Sequence, residues 1–390
     1  MHIALLAPLP PEQTGIADYA AHFRAALEQR GVTVHTPLQG ATPANLQQRL
    51  QSFDWRHVQL VHAELGGGRL GEFQALDYLR QQHPQLPLTA TVHDPERLVW
   101  RRAQLPWPLS LLERLPRPLP QAAALLADPL TLHEERRLAR HMSKLITLTA
   151  LGGQCLAKRM GIGEQQRSVI AHGNIIIPAA PLPPLQPLKL LYFGFIYRGK
   201  GIEDLLDAFA LTFERHPQLR GHLRLTLAGG TAPDMAFGPT GNYLDELRQR
   251  AQQLGLDDCL DWQLDLPAAQ IPTTIQAHHV MVLPYRESKK LGLLGEMRGT
   301  SGALSWANAC GRGAITSNAR AFAEEVSSGN GATYPQGDIQ ALATCISDLA
   351  LQPQQAVQWA ERANQIGQQR QWPATAERFQ QLFAAVCGES

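Results

Sequence analysis

A chain of 390 residues is too long for one ordinary domain and comfortable for two. With 44% hydrophobic and 18% charged residues it is globular, with apolar material for two cores. A formal net charge of +1 excludes a general basic field for nucleic acid, so an anionic ligand has to be met by a local cluster of donors.

Cys155, Cys259, Cys310, Cys345 and Cys387 are scattered and odd in number. Without a CxxC pair they argue against a zinc site or a disulfide framework, and for a reducing compartment. The N-terminal MHIALLAPLP has no basic start and no small-residue cleavage site, so it reads as a first strand and not as a signal peptide. No run of about 18 apolar residues occurs, which excludes a conventional membrane span. A cytoplasmic protein is expected.

Along the chain, strand-like runs alternate with helix-like ones. An apolar run at 3–7 predicts a strand. Pro8, Pro10, Pro11 and Gly15 break it, and apolar positions at helical spacing predict a helix over 17–30. Strands are predicted at 32–35, 58–62 and 88–92, then a charged helix around 132–141 and a strand at 145–149. The stretch 178–188, PAAPLPPLQPL, is too rich in proline for a helix or a central strand and predicts a linker. The pattern then restarts with strand 190–193, helix 201–213, strand 223–228, helix 242–254, strand 280–283, helix 302–309 and strand 313–316. After the break Gln371-Trp372-Pro373, an amphipathic helix covers 374–386. The expected fold is α/β, with Rossmann-like domains at 1–178 and 189–370 joined by a linker at 179–188. Their parallel sheets are expected to face a central cleft that holds the ligand, with residues 371–390 packing back on the first domain.

Five segments place residues for chemistry. In PLPPEQTGIA, Gly15 lets the backbone approach a ligand and the following helix start offers N–H donors. An ordinary strand-to-helix turn explains that pattern as well, and the missing GxGxxG weighs against a nicotinamide dehydrogenase. In TVHDP, His93 directly follows a strand, where an imidazole can donate to a sugar hydroxyl or a developing charge; by position alone a loop histidine is equally good. In FGFIYRGKG, Gly194 leads to Arg198 and Lys200 just before a helix, an order that favours a diphosphate site over a solvated turn. In EMRGTSGALSWANACG, Gly299, Ser301 and Gly302 leave backbone N–H groups open at a helix start, a nest for phosphate with Arg298 alongside; plain capping by Thr300 or Ser301 is compatible with it. Between 95 and 120, Arg97, Arg101, Arg102, Arg114 and Arg117 stand among Trp100, Trp107 and leucines. That composition suits peripheral contact with an anionic membrane or an acceptor, the alternative being a packed excursion. RESKK at 286–290 reads as a mobile solvated loop, His172-Gly173-Asn174 as a turn, and His278-His279 lacks the spacing of a metal site.

Taken together, PLPPEQTGIADYA, TVHDP, VIAHGN, LYFGFIYRGKGIEDLLDAF, LTLAGG, VMVLPYR and SGALSWANACGRGAITS resemble, in order and spacing, the retaining family 4 glycosyltransferases of the GT-B fold. The resemblance implies a nucleotide-diphosphate sugar as donor and a glycan or lipid-linked acceptor, in surface polysaccharide or glycoconjugate assembly. It implies that Gly15 and Ile16 lie near the donor diphosphate and that His93 contacts the transferred sugar. Gly194, Arg198 and Lys200 would hold the diphosphate, as would the nest of Gly299, Thr300, Ser301, Gly302, Ala303 and Leu304. The base would rest near Gly229 and around Trp262. The chain departs from the family where a pair of glutamates usually contacts sugar and ribose. Those positions are Arg298 and Trp306, as in a branch whose helix reads SGAL, and Glu296 is the nearest replacement for the first. Phe195 stands where the family usually has an arginine, which leaves that role to Arg198.

The implied chemistry is stabilisation of the leaving diphosphate by Arg198, Lys200 and a helix start, with no metal and no other cofactor expected. Two other classes are open. One is an inactive partner on the same fold. The other is a sugar-nucleotide epimerase, for which Glu64, Asp94 and Glu296 are the candidate acid/base carboxylates.

Overall fold

The computed structural model describes residues 1–12, 14–99, 105–116, 119–230, 237–238, 241–287, 296 and 298–388. The chain divides into two compact units. The first comprises Met1–Gly173, Lys290–Thr300 and Trp372–Ser390, and the second Asn174–Lys289 and Ser301–Gln371.

In the first unit, β1 (His2–Leu6), β2 (Thr33–His35), β3 (Leu60–Leu65), β4 (Leu88–Val92), β5 (Lys144–Thr147) and β6 (Arg167–Val169) form a parallel sheet in the order β2-β1-β3-β4-β5-β6. Helix α1 (Gly15–Gln29) buries Tyr19, Phe23 and Leu27, one face at helical spacing. The terminal helix Trp372–Cys387 packs on α1, with the Phe23 and Phe379 rings 4.7 Å apart and Arg30 Nε donating to Gln380 Oε1 at 2.8 Å. Helix α4 runs Leu119–Ala139, much longer than the 132–141 predicted from charge. Its Ala- and Leu-rich start favours helix, Pro120 sits in the tolerant first turn, and Pro129 is accommodated inside. Strand β3 begins and ends later than the apolar run at 58–62, because its second half, His62-Ala63-Glu64-Leu65, is polar by composition yet wholly buried.

In the second unit, β7 (Leu188–Phe193), β8 (Leu223–Gly229), β11 (Leu260–Leu264), β12 (Val280–Leu283), β13 (Gly313–Ser317) and β14 (Gly331–Tyr334) form a second six-stranded parallel sheet. Its order is β11-β8-β7-β12-β13-β14, and a two-residue hairpin pair, β9 (Phe237–Gly238) and β10 (Gly241–Asn242), stands apart from it. Helix α6 (Ile202–Arg215) buries Leu205, Leu206, Phe209 and Phe213 against the sheet. The proline-rich stretch is not a free linker. Arg312, 2% exposed, donates to the carbonyls of Ala180 and Pro181 as well as to those of Gln276, His278, Cys310 and Gly311. Gln276 Nε2 donates to Pro178 O at 2.8 Å and His279 Nε2 to Pro183 O at 3.1 Å. These carbonyls have no partner within a ladder, so a buried guanidinium and two side chains satisfy them and strap the segment to the second unit.

Both units are therefore doubly wound sheets of the Rossmann type. In each, the strand order reverses at one point, between β1 and β3 in the first and between β7 and β12 in the second. Loops leaving the carboxyl ends of strands at such a reversal diverge and leave a crevice that ligands use.

Candidate functional site

In the second unit, the loops leaving β7 and β12 carry the residues picked out for an anion. Gly201 caps α6 with φ +67°, and a Cβ there would run into the Pro284 carbonyl, so the two loops touch backbone to backbone. That contact sets Lys200 over Tyr285, with Nζ 3.7 Å from the ring centroid and 5.0 Å from that of Tyr197. The buried Tyr285 hydroxyl is 3.1 Å from Ser301 Oγ, and Arg320, from the loop after β13, lies 5.7 Å from the Tyr285 ring. Burial would raise the phenol's pKa, but the Lys200 ammonium and hydrogen bonds with Ser301 and Lys200, with Arg320 nearby, hold it below its ordinary value. Ser301 caps the helix Gly302–Ala309 by accepting from Ala303 N at 3.3 Å, and its carbonyl takes the Leu304 N–H at 3.0 Å. The capping role is thus the observed one, and Gly302 opens the first turn beside it.

Arg198 is differently employed. Its guanidinium sits 2.5 and 2.6 Å from the two carboxylate oxygens of Glu246 and 5.0 Å from the Tyr243 ring. An anion reaching Arg198 has to compete with Glu246, whereas Lys200 among the described residues is matched with aromatic rings and not with a carboxylate. Gly194 and Gly229 meet across the sheet edge: a Cβ on Gly229 would collide with the Gly194 carbonyl, and Gly194 in turn lies near Tyr285. Trp262 sits in the middle of edge strand β11, half-buried, opposite Leu227, with Arg248 5.8 Å from its ring. The structure does not bring it to the Lys200 cluster. Arg286, expected in a mobile loop, pairs with the buried Asp204 carboxylate at the start of α6, and residues 288–290 of that stretch lie outside the described residues.

In the first unit, His93 follows β4 and its Nε2 lies 2.8 Å from Glu64 Oε2. Glu64 and His62 are fully buried on one face of β3, and His62 Nε2 is 3.3 Å from Glu64 Oε1. Burial alone would raise the Glu64 pKa; the adjacent imidazoles of His62 and His93, 3.3 and 2.8 Å away, bring it below the usual carboxylate value. Tyr19 stands edge-on to His93 at 4.8 Å, to His172 at 5.0 Å and to Trp372 at 4.9 Å. Burial, then the Glu64 charge, pushes its phenol well up. A Cβ on Gly66 would lie 2.5 Å from Ile16 Cδ1 and 3.0 Å from His93 Cβ, so Ile16 and His93 flank one glycine. Gly15 opens α1, but Thr14 already caps it by taking the Ala17 N–H at 3.1 Å.

The loop after His93 is tightly held. Asp94 Oδ2 accepts from Gly67 N at 2.8 Å. Arg97 is buried against Glu135 and Asp128 of α4, which takes it out of any membrane-facing role. Arg298 pairs with Glu296 and lies 3.6 Å from Glu96, and the Glu296 N–H is bonded to Glu96 Oε2 at 2.8 Å. Gly299 packs directly on the His93 carbonyl, and Thr300 is buried beside it in sequence. Trp107, Leu111, Leu126 and Leu130 are 80%, 71%, 71% and 57% exposed. Trp100, Arg101, Arg102 and Arg117, and the side chain of Arg114, lie outside the described residues. Among the described residues no group of three His, Cys, Asp or Glu side chains is arranged to hold a metal, and no helix is long and apolar enough to cross a membrane.

Sequence reasoning overlooked Tyr285 and Arg320, and it named Glu64 only as an epimerase carboxylate, without its partner His62. A signal for the pair was present. Central parallel strands read as near-continuous apolar runs, and LVHAEL breaks that rule at alternate positions, which puts both polar groups on one face.

The two sheets of six parallel strands and their helices make this a GT-B fold of two Rossmann-like domains. Residues 175–366 match the model of the family Glycosyl transferases group 1, so the second unit is a domain of that family. D-inositol 3-phosphate glycosyltransferase of Corynebacterium jeikeium is 26% identical over 202 residues, 51% of this chain and 44% of that protein. The protein of the same name from Thermomonospora curvata is 24% identical over 204 residues, 52% of this chain and 44% of its own length. The matched stretch thus spans less than half of each curated relative. Among solved structures, sucrose-phosphate synthase from Thermosynechococcus elongatus superposes with a TM-score of 0.71 at 20% identity over 100% of both chains. HepE of Anabaena, in complex with UDP and glucose, does so with a TM-score of 0.66 at 17% identity over 99% of this chain and 100% of its own.

Proposed function

We propose that the chain is a retaining glycosyltransferase that takes a sugar from a nucleotide-diphosphate donor and passes it to a glycan or lipid-linked acceptor. The observation that carries this reading is the Lys200 ammonium held over Tyr285, beside Ser301 and Arg320, at the strand-order reversal of the group 1 domain. An ammonium fixed against aromatic faces keeps its charge unneutralised for an incoming anion. A diphosphate leaving group gains negative charge as the C1–O bond breaks, and preorganised cations stabilise that change. Lys200 supplies the first contact, Arg198 a second once it leaves Glu246, and the start of helix Gly302–Ala309 a backbone donor. With these groups the reaction needs no metal, so activity should persist in a chelator. His93 is the proposed residue for the transferred sugar. Support for the donor class comes from HepE, whose solved complexes hold UDP and UDP-glucose.

The epimerase alternative is disfavoured by its carboxylates: Glu64 is tied to two histidines, Asp94 to Gly67, and Glu296 to Arg298. We further propose work at the cytoplasmic face of a membrane in surface polysaccharide assembly. The exposed Trp107, Leu111, Leu126 and Leu130 favour such a surface, and the five cysteines are free thiols.

A thermal-shift panel of UDP, GDP, ADP and their sugars tests the donor class; selective stabilisation by one nucleotide series names it. If no nucleoside diphosphate raises the melting temperature at millimolar concentration, the reading fails. The anomeric configuration of the product, read by NMR, decides whether transfer retains.

A further inference from the structure

Glu64 is a costly group in the first unit: a carboxylate with no exposed surface, on a central strand, set among the buried His62, Thr89 and Thr91 and aromatic side chains. Its Oε2 takes one hydrogen bond, from His93 Nε2 at 2.8 Å. Its Oε1 has no hydrogen-bond partner among the described residues, although His62 Nε2 stands 3.3 Å away. The hydrogen bonds of His62 are largely fixed from below. The Thr89 hydroxyl donates to the Val61 carbonyl at 3.1 Å, so it accepts from His62 Nδ1 at 2.9 Å. His62 Nε2 then faces the Thr91 hydroxyl at 3.1 Å. Phe23, Phe379 and Phe383 enclose this imidazole, with centroids 5.3, 5.5 and 5.2 Å away. The pair is wholly buried, and the carboxylate's one hydrogen bond leads to the ring of His93, which is 11% exposed.

We infer that Glu64 is the positioning residue of His93, fixing it as the Nε2–H tautomer so that Nδ1 serves as the acceptor for a hydroxyl of the donor sugar. A carboxylate accepts hydrogen bonds and cannot donate them, so the proton of His93 must sit on Nε2. In the neutral ring Nδ1 then carries a lone pair. Tyr19, edge-on at 4.8 Å, and Gly66, whose missing side chain gives His93 Cβ its place, keep the ring from turning. His93 meets the sugar as an acceptor and not as the donor that its position after a strand first implied. The role assigned to Nδ1 rests on the proposed glycosyl transfer; the tautomer itself does not.

The test uses the full-length chain with Glu64→Gln, which keeps the shape of the side chain, and Glu64→Asp, which keeps the charge. Long-range proton–nitrogen correlation spectra of histidine-labelled protein report the tautomer without any substrate. The wild type should show His93 as the Nε2–H form near neutral pH. Glu64→Gln, whose amide can also donate, should give a mixture. In donor turnover, Glu64→Gln should lower kcat by at least about tenfold with KM for the donor within about twofold, since a misplaced proton costs the reacting state more than the bound one. Glu64→Asp should recover part of the loss. An Nδ1–H form in the wild type, or an unchanged spectrum and kcat in Glu64→Gln, would overturn the inference. Absence of turnover in the wild type with the Nε2–H form present would instead count against the glycosyl-transfer reading alone.

Discussion

Replacing Lys200 by Met separates the two things this side chain does. In folding, it contributes a cation–π contact with Tyr285, worth about 0.5–1 kcal/mol at a half-exposed place. A methionine of similar length puts sulfur against the same ring and returns about as much. The melting temperature should therefore move by no more than about 2–4 °C. In binding, the ammonium is matched with rings and not with a carboxylate among the described residues, so no carboxylate there competes with an incoming anion. A charge-assisted hydrogen bond to phosphate is worth about 1.5–3 kcal/mol, which predicts a loss of about tenfold to a hundredfold in nucleoside-diphosphate affinity by calorimetric titration. Because the leaving group gains charge in the transition state, turnover should fall further, by about 10²–10³ in kcat. Tyr285 gives an internal check: without Lys200 its phenol loses the chief influence lowering it, so its ultraviolet titration should move to higher pH. Equal affinity and equal turnover in a folded Lys200→Met protein would refute the assignment of the anion site.

Arg312→Met leaves a set of buried carbonyls without their donor, and should cost about 3–5 kcal/mol in denaturant unfolding of the second unit; a cost under about 1 kcal/mol would mean that the proline-rich strap finds other partners. Stability should fall between pH 6.5 and 5. Burial first, against hydrogen bonds to backbone, lowers the pKa of His278 and His279, and His279 Nδ1 accepts the Lys189 N–H at 2.9 Å, so both rings are held neutral. The unfolded chain therefore binds protons that the folded one refuses, with a slope of up to about 1.4 kcal/mol per pH unit for each ring, and a flat profile by denaturant titration across that window would contradict it. Gly201→Ala, at φ +67° with a Cβ directed at the Pro284 carbonyl, should lose about 2 kcal/mol or more and weaken nucleotide binding with it, since the same loop carries Lys200; unchanged binding would show that the two loops are not coupled. Restoring the usual acidic pair as Arg298→Glu with Trp306→Glu should lower the melting temperature and not raise activity, because one new carboxylate meets Glu96 and Glu296 and the other meets Phe193; a gain in turnover would overturn this.

Much of the fold was legible because parallel α/β chains write it in alternating periods. The strand at 88–92, the strand at 280–283 and the helix at 302–309 were read at their observed limits. Where the reading slipped, tertiary contacts had overridden local composition. The linker was read from proline content, which says what a segment cannot form but not what satisfies its carbonyls. That task falls to Arg312, more than a hundred residues further on. At the start of the basic stretch 286–290, the exposed Arg286 pairs with the buried Asp204, a partner too distant in sequence for any local pattern to show. In the candidate site, glycine and cation placement after a strand puts Lys200 just before a helix, and α6 begins at Ile202. Whether Arg198 is engaged depends on Glu246 of another helix, and no pattern within FGFIYRGKG carries that.

The departure at Arg298 and Trp306 is of the same kind. A site that has merely decayed keeps the surroundings of the residues it lost. Here both side chains are engaged by their own neighbours. Arg298 lies between Glu296 and Glu96. Glu96 is held at φ 88°, a backbone state that costs a non-glycine residue about 1–2 kcal/mol, and its carboxylate takes the Glu296 N–H. That strain persists only where neighbouring contacts over-determine it. Trp306 is half-buried with its ring 6.4 Å from that of Phe193, at the end of the strand that leads to Lys200. An acidic side chain at 306 would be desolvated there, whereas an indole adds area to the core beneath the loop. The two positions therefore support loops, one the loop after β4 and the other the loop after β7. Substitution at 298 should therefore be felt through the loop that carries His93, and substitution at 306 through the loop that carries Lys200.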